Sequence, residues 1–447
     1  MFLPQSVLYC IRRLHQAGFE AYCVGGCVRD ALLGLQPHDY DLCTNATPDQ
    51  ISQVFADHNL VRAGEKHGTI GVVIDRQVYE ITTFRTEGGY QDSRHPDWVK
   101  FVDGVEEDLS RRDFTVNAMA YSPDKGYIDP FGGQRDLKSH VLRAVGDPST
   151  RFTEDALRIL RGVRFAVRFG LTPEPATERA MTDLAPTLNK IANERIFDEL
   201  CKLLPTVNTE DLLRFRAVLA QVIPELVPSF DFHQHSPHHI YDVFTHTAHV
   251  VEATPRDLTL RWAALLHDTG KPQAFYRDEN GRGHFPSHAK YSAQMADAVL
   301  TRLKAPTALR ERVVLLIAQH MTPLLPDKRL LRRRLAQHGE ETVRQMLTLQ
   351  HADFGSKGTG TPQEEAIFGQ IEAILAEILA EDACLQIKDL AVDGKDLIAL
   401  GFPAGPSLGK CLQYLLDQVL DEQLPNERDT LLTAAKLYLR VDKGDNL

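Results

Sequence analysis

The chain has 447 residues, 43 % apolar and 25 % charged, enough to bury a core in each of about three domains. Its formal net charge of −11 excludes a protein that coats polyanions over its whole surface, so any nucleic-acid contact is expected at a local patch. No apolar run approaches the roughly 18 residues that cross a bilayer, no signal-peptide pattern opens the chain, and the cysteines are scattered and odd in number, so a cytoplasmic protein with reduced thiols and no membrane partner is expected.

In chain order, Ala21-Tyr22-Cys23-Val24 predicts a strand, Gly25-Gly26 a tight turn, and Val28 to Leu33 a helix ended by Gly34. Glycine lets backbone N–H groups approach an anion, the helix start adds partial positive charge, and Arg29 lies one turn in, so this is a candidate phosphate cradle. Cys23 and Cys27 have no second pair to complete a zinc site, and buried thiols are expected. Asp39-Tyr40-Asp41 follows; on a strand, residues two apart share a face, and two adjacent carboxylates invite a cation. The runs Gly71 to Ile74 and Val78 to Phe84 predict strands, the second offering Glu80 as a third hard-oxygen ligand for Mg²⁺, or else as part of a solvated face. Thr86 to Asp97 has the glycines and proline of a mobile loop, and Phe114 to Tyr121 predicts another strand.

From Thr153 onward the apolar residues fall at helical spacing, as in Leu157, Leu160, Val163, Phe165 and Val167. The expected class is α+β: a small head with a mixed sheet and helices, then helix throughout. Breaks at Asp147-Pro148-Ser149, Phe232 to His239 and Gly355 to Pro362 suggest a head at 1–145, a neck at 146–228, a helical domain at 229–355 and a helical tail at 356–447. Within the neck, Asp155 and Arg158 stand at i and i+3, which on a helix gives one face able to meet one base edge. A carboxylate accepts from the exocyclic amine of cytosine or adenine and repels the carbonyl that uracil or guanine carries there.

These blocks resemble the poly(A) polymerase-like nucleotidyltransferase superfamily, in the branch holding bacterial class II tRNA nucleotidyltransferases, the CCA-adding enzymes. The resemblance rests on Gly25-Gly26-Cys27-Val28-Arg29-Asp30, Leu33-Gly34, Asp39-Tyr40-Asp41, the segment Arg111-Arg112-Asp113-Phe114-Thr115-Val116-Asn117-Ala118, Asp129-Pro130, and Glu154-Asp155-Ala156-Leu157-Arg158-Ile159-Leu160-Arg161. It implies template-independent addition of CCA to a tRNA 3′ end from CTP and ATP, with two metal ions on Asp39 and Asp41 and Glu80 as a third acid. It further implies nucleotide contacts from Gly25, Gly26, Arg29, Arg111, Arg112, Asp113, Asn117, Asp155, Arg158 and Arg161. Arg85 to Val99, with Tyr90, Arg94, His95 and Pro96, is similar to the loop of relatives that add the terminal A. Poly(A) polymerase, CC-only and A-only activities remain alternatives, as does an RNA-binding protein with an inert head.

A second resemblance, to the HD phosphohydrolase superfamily, rests on His246, His267-Asp268 and Asp353, with Ala264-Leu265-Leu266-His267-Asp268-Thr269-Gly270-Lys271 as its core. It implies a second divalent-metal site able to cleave phosphoesters, with His288 and His320 as further ligands; a scaffold with satisfied core histidines is the alternative. The cluster Lys328-Arg329-Leu330-Leu331-Arg332-Arg333-Arg334 is the densest basic patch, and reads as either an RNA contact or a solvated face. The glycine turns near Gly394, Gly401 and Gly405 resemble the helical tail of CCA-adding enzymes.

Overall fold

Helix α1 (Gln5–Gln16) buries Val7, Cys10, Ile11 and Leu14, the i, i+3, i+4, i+7 stripe of an amphipathic helix. Strand β1 (Ala21–Val24) is buried at all four positions, as suits a central strand covered on both faces. Then come α2 (Gly26–Leu32), β2 (Leu42–Thr44), α3 (Pro48–Val54), β3 (Asn59–Val61), β4 (Thr69–Ile74) and β5 (Gln77–Thr83). The hairpin β6 (Arg85–Gly88) and β7 (Trp98–Phe101) follows, then α4 (Val105–Ser110), β8 (Ala120–Ser122) and β9 (Gly126–Ile128). One seven-stranded sheet runs β3-β4-β5-β2-β1-β8-β9; β2 pairs in parallel with β5 and the other neighbours are antiparallel. One face packs Tyr22, Val24, Cys43, Phe84, Leu109 and Ala120 into a core.

This computed structural model describes residues 1–88, 98–359, 361–381 and 384–442. Tyr90, Arg94, His95 and Pro96 lie outside them. Two expectations shift. Asp39 and Asp41 precede β2 rather than lying within it, although the Asp41 carbonyl still accepts from the Val24 N–H at 3.0 Å and so extends the β1 pairing. Of Phe114 to Tyr121 only the end is strand, because Thr115–Asn117 turns as a short 3₁₀ segment that buries Asn117.

Beyond α5 (Gly133–Lys138) and a short parallel pair, β10 (Val141–Leu142) with β11 (Thr172–Pro173), the first unit is helical. It contains α6 (Pro148–Glu154), α7 (Leu157–Phe169), α8 (Pro175–Asp183) and α9 (Asn193–Leu203). The chain divides into two compact units, Met1–Val227 with Thr301–Ala305, and Pro228–Leu300 with Pro306–Leu447. In the second, helices over Val243–Ala253, Leu258–Leu266, Thr307–Gln319 and Lys328–Gly355 surround the fully buried Trp262. The long last helix breaks at Gly339 (φ 76°), a left-handed position suited to glycine. A separate core around Leu397, Cys411, Leu415 and Leu431 holds the final three helices. No helix among the described residues is long and apolar enough to cross a membrane.

Candidate active site and a buried histidine centre

The turn between β1 and α2 sets the first site. Gly25 has φ 76°, donates its N–H to the Met119 carbonyl at 3.0 Å, and leaves no room for a Cβ, which would meet Arg112 Nη1 at 2.8 Å. This turn floors a cavity of about 440 Å³ that brings together all ten residues expected at the nucleotide, and Asp41 with them. Gly25, Gly26, Arg29 and Asp41 come from the sheet end, Arg111 to Asn117 from the segment after α4, and Asp155, Arg158 and Arg161 from the neck.

Inside the cavity the groups are tied to one another. Asp113 is buried; it accepts from the Phe114 N–H at 2.8 Å, from Asn117 Nδ2 at 3.0 Å, and from Arg161 Nε and Nη2 at 2.8 and 2.6 Å. Burial alone would raise its carboxyl, but the Arg161 charge and these donors hold it down to about 2. Arg29 donates to Asp30 and to Asn117 Oδ1 and stacks over Phe169 at 4.3 Å. Asp108 accepts from Arg111 Nε and Nη2 and, at 3.4 Å, from Arg112 Nη2; Arg112 also reaches the Gly25 turn and keeps a buried Nε with no hydrogen-bond partner. Both arginines therefore face the cavity, a point the sequence left undecided.

The structure places Asp155 differently from the expected helix face. It sits in extended backbone (φ −142°, ψ 103°) between α6 and α7, where its Oδ1 accepts from the Leu157 N–H at 3.0 Å and its carbonyl from the Arg158 N–H at 3.0 Å. The reason is physical: an aspartate satisfies the orphan N–H groups of a helix start better than it continues a helix. Arg158 donates to Glu154 at 2.7 Å and to the Arg151 and Arg111 carbonyls at 3.1 Å each. Asp155 and Arg158 still line one cavity, but the i, i+3 spacing is not what brings them there.

Phe165 and Arg195 of this cavity escaped sequence reasoning. Phe165 holds the guanidinium carbons of Arg164, Arg29 and Arg161 at 4.3, 5.2 and 5.3 Å from its ring, spacing three like charges around one aromatic face. Arg164 is buried against Glu199 at 2.6 Å, whereas Arg168, one turn further along α7, is exposed. Arg195, on α9, donates to Asp155 Oδ2 at 2.8 Å. Phe165 was visible only as part of the α7 apolar stripe, and Arg195 lies 40 residues from its partner with no local pattern to mark it.

A second cleft, of about 320 Å³, is lined by Asp39, Asp41 and Glu80 together with Tyr79 and Gln77. Asp41 lines both cavities. It keeps an accessible edge, yet protein atoms crowd its carboxyl and raise it above the ordinary range; Arg112 opposes that shift and Asp39 adds to it. Glu80 is exposed on the β5 face opposite the buried Tyr79 and Ile81. The oxygens of these three acids do not all approach within 4.8 Å of one another. Their oxygen-only chemistry on one cleft fits a hard divalent cation.

In the second unit His246, His267, Asp268 and Asp353 converge. His246 Nε2 lies 2.9 Å from Asp353 Oδ1 and 3.6 Å from Asp268 Oδ2, and His267 Nε2 lies 3.2 Å from Asp268 Oδ2. His288 Nε2 and His320 Nε2 approach Asp268 Oδ1 at 3.4 and 3.9 Å, so two triads share Asp268. Each of the four imidazoles turns Nδ1 to a backbone carbonyl, those of Ser356, Ala264, Phe285 and Ile317, which leaves Nε2 aimed inward. His267 Nε2 and Asp268 Oδ2 are buried without a well-aligned hydrogen bond, although Lys271 Nζ is 2.6 Å from that oxygen. Burial lowers His288 and takes His320 down to about 4, so both are neutral. No cysteine joins either triad, and all seven thiols are free.

Three residues of the basic cluster at 328–334 are tied into ion pairs. Lys328 meets Glu377 and Glu381, Arg332 meets Glu381 and Glu422, and Arg333 meets Asp421. Asn426 donates to the Asp389 carbonyl and accepts from the Ala391 N–H, both at 2.8 Å, and so ties two turns together.

Three family descriptions match the chain: poly A polymerase head domain over residues 21–143, probable RNA and SrmB-binding site of polymerase A over 170–229, and tRNA nucleotidyltransferase domain 2 (putative) over 284–435. The chain is 36 % identical to the CCA-adding enzyme of Limosilactobacillus fermentum over 434 residues, covering 96 % of each protein. It is 36 % identical to that of Latilactobacillus sakei over 442 residues, covering 97 % of this chain and 99 % of the relative. Among solved structures it is similar to the Bacillus stearothermophilus CCA-adding enzyme in complex with CTP, at 29 % identity and a TM-score of 0.73 over the whole of both chains. A Thermotoga maritima CCA-adding enzyme shares the fold, at 21 % identity and a TM-score of 0.59, covering 97 % of this chain and 95 % of that one.

Proposed function

We propose that this chain, which belongs to the family of CCA-adding enzymes, adds C, C and A to the 3′ end of tRNA from CTP and ATP, releasing pyrophosphate, at the cavity floored by Gly25. The observation that carries this reading is Asp41: one carboxylate lines both the arginine-rich cavity and the acidic cleft, so a nucleotide held by the first presents its phosphates to the second. Arg29, Arg112 and the turn amides orient the triphosphate, Asn117 serves the sugar, and Asp155 and Arg158 read the base edge. Residues 1–145 then form the catalytic head, 146–228 the base-reading neck, 229–355 the HD-like domain and 356–447 the tRNA-binding tail. Members of this family are divalent-metal-dependent, and we assign Mg²⁺ to Asp39 and Asp41, with Glu80 as the outer third acid. Bound there, such ions favour the deprotonated 3′-hydroxyl and neutralise the departing pyrophosphate. We read the cytoplasm, where tRNA and nucleotides are handled, as its place of work.

The test is Asp39→Asn, assayed on tRNAs ending at the discriminator, at C and at CC with each nucleotide alone. Incorporation is expected to fall about a thousandfold or more, with tRNA binding unchanged. Unaltered incorporation would refute the metal role, and addition of A alone to the CC end would refute full CCA addition.

The two orphaned ligand atoms at His267 and Asp268 favour a second reading, a divalent-metal phosphoesterase in the second unit. His246, His267, Asp268 and Asp353 would hold the ion, which when bound supplies an activated water for phosphoester cleavage. Lys271, ion-paired to Asp268, is placed to meet a phosphate oxygen.

A further inference from the structure

A two-stranded hairpin, Tyr276–Arg277 against Gly283–His284, stands beside the histidine centre of the second unit. Three contacts fasten it there. The Gly283 N–H donates to the His235 carbonyl at 2.8 Å, and Gly283 packs so close to the Gln234 carbonyl that no Cβ would fit. Gln234 is buried and accepts from Lys271 Nζ at 2.8 Å, and that same ammonium is ion-paired with Asp268. Beyond the second strand, the Phe285 carbonyl meets His288 Nδ1 at 2.8 Å. His288 follows His284 by four residues, a reach of at most roughly 14 Å at full extension, so the hairpin is a wall of the centre.

The hairpin carries an aromatic pair. Tyr276 and His284 are partners in register and stack with ring centroids 5.1 Å apart and planes at 18°. His284 Nε2 lies 2.8 Å from Asp278 Oδ2, which steadies the lower ring, while Tyr276 is 52 % exposed: His284 covers one face of its ring and the other is open. A single exposed tyrosine is ordinary on a surface. One laid flat on a second ring, on a turn tied to buried ionisable groups, has the form of a base-stacking platform. Arg277 and Arg282 offset Asp278 and Glu279 on the same turn, so stacking rather than net charge is what the platform offers.

We propose that Tyr276 and His284 hold a base of single-stranded RNA, with the 3′ end of the strand running on past His288 to the ligands around Asp268. The link to chemistry rests on the phosphoesterase reading above. Every base has a π face, so the platform selects a strand end over a free nucleotide, not one sequence over another. The base it holds lies upstream of the reacting phosphate, and a mononucleotide has none there.

The experiment assays the full chain with Mn²⁺ on an RNA hexamer ending in a 2′,3′-cyclic phosphate and on 2′,3′-cyclic CMP. In each, water adds across one P–O bond of the ring and leaves a phosphomonoester and a free hydroxyl. Tyr276→Ala is expected to raise KM for the hexamer about tenfold, the loss of one base–aromatic stack, with KM for cyclic CMP and the melting temperature unchanged. Tyr276→Trp keeps a ring and is expected to keep the wild-type KM. An equal rise for both substrates makes Tyr276 a support of the centre, and no rise for either makes it an ordinary surface residue; both results overturn the proposal. A second readout needs no turnover: a hexamer with 4-thiouridine at its penultimate position, irradiated on chelator-treated protein, is expected to crosslink within residues 276–284. If the wild-type chain opens neither substrate while that crosslink forms, the phosphoesterase reading falls and the platform stands. A crosslink map without residues 276–284 overturns the platform whatever the activity.

Discussion

Asp113 shows how one residue decides the behaviour of its neighbours. Its two oxygens take the Phe114 N–H, Asn117 and both arms of Arg161, so the side chains that face a nucleotide are oriented by a group that stays buried behind them. The resemblance implied Asp113 as a nucleotide contact; in the cavity it lines, its carboxylate ties Asn117 and Arg161 together. Because its folded carboxyl is depressed to about 2 from an ordinary 3.8, its ionised form contributes stability that is fully present above pH ~4 and lost as pH falls through about 2. The shift corresponds to roughly 2 kcal/mol. Asp113→Asn is therefore expected to destabilise the protein by ~2–3 kcal/mol at neutral pH, since it leaves Arg161 without its counter-charge. The gap to wild type, followed by urea unfolding at stepped pH, should narrow below pH ~4 and close near pH ~2. A gap independent of pH would mean that the carboxylate charge is not what stabilises the segment.

At the scale of elements, the junctions carry the chemistry. Between β1 and α2, Gly25 occupies left-handed backbone with the Arg112 guanidinium packed where a side chain would begin. Gly25→Ala adds strain of roughly 1–2 kcal/mol and pushes Arg112 away. The expected result is a raised KM for both CTP and ATP with the CTP-to-UTP ratio unchanged, measured by steady-state incorporation; an unaltered KM would show that the turn does not cradle the triphosphate. The strand Ala21–Val24, the turn and the glycine-ended helix were all legible in sequence, because an apolar run and two glycines determine them locally. So was the set of cavity residues, through ordered motifs. The capping role of Asp155 was not, since a helical motif at i and i+3 reads the same whether or not the helix breaks at its first member. Nor were Arg195 and Phe165, whose roles depend on the packing of α9 and α7 and on no neighbour in sequence. The ion pairs of Arg332 and Arg333 were not legible either: their acids lie some 50 to 90 residues away, and such pairing leaves no trace in a local charge run.

On the scale of the whole molecule, the chain is two units with separate ionisable centres, one of carboxylates and one of imidazoles and carboxylates. Of the four histidines, His246 and His288 stand on helices while His267 and His320 follow the ends of Leu258–Leu266 and Thr307–Gln319, and each is fixed by its own backbone carbonyl. That is costly as a scaffold: buried imidazoles and two carboxylates crowd together, with orphaned atoms at the centre. On the second reading proposed above, a bound metal would remove this cost, and a ligand that binds only the folded form stabilises it, by about 2.7 kcal/mol at a hundredfold excess over Kd. Adding Mn²⁺ to chelator-treated protein is accordingly expected to raise the melting temperature of the second unit by several degrees. In His267→Ala the shift should vanish, together with the hydrolytic opening of a 2′,3′-cyclic phosphate at an RNA end to the phosphomonoester, while CCA addition persists. Asp39→Asn should show the reverse, keeping the shift and the ring opening. Were the metal shift to survive in His267→Ala, the ion would be binding elsewhere and the centre would be a scaffold; were CCA addition to be lost there, the two chemistries would not be separable.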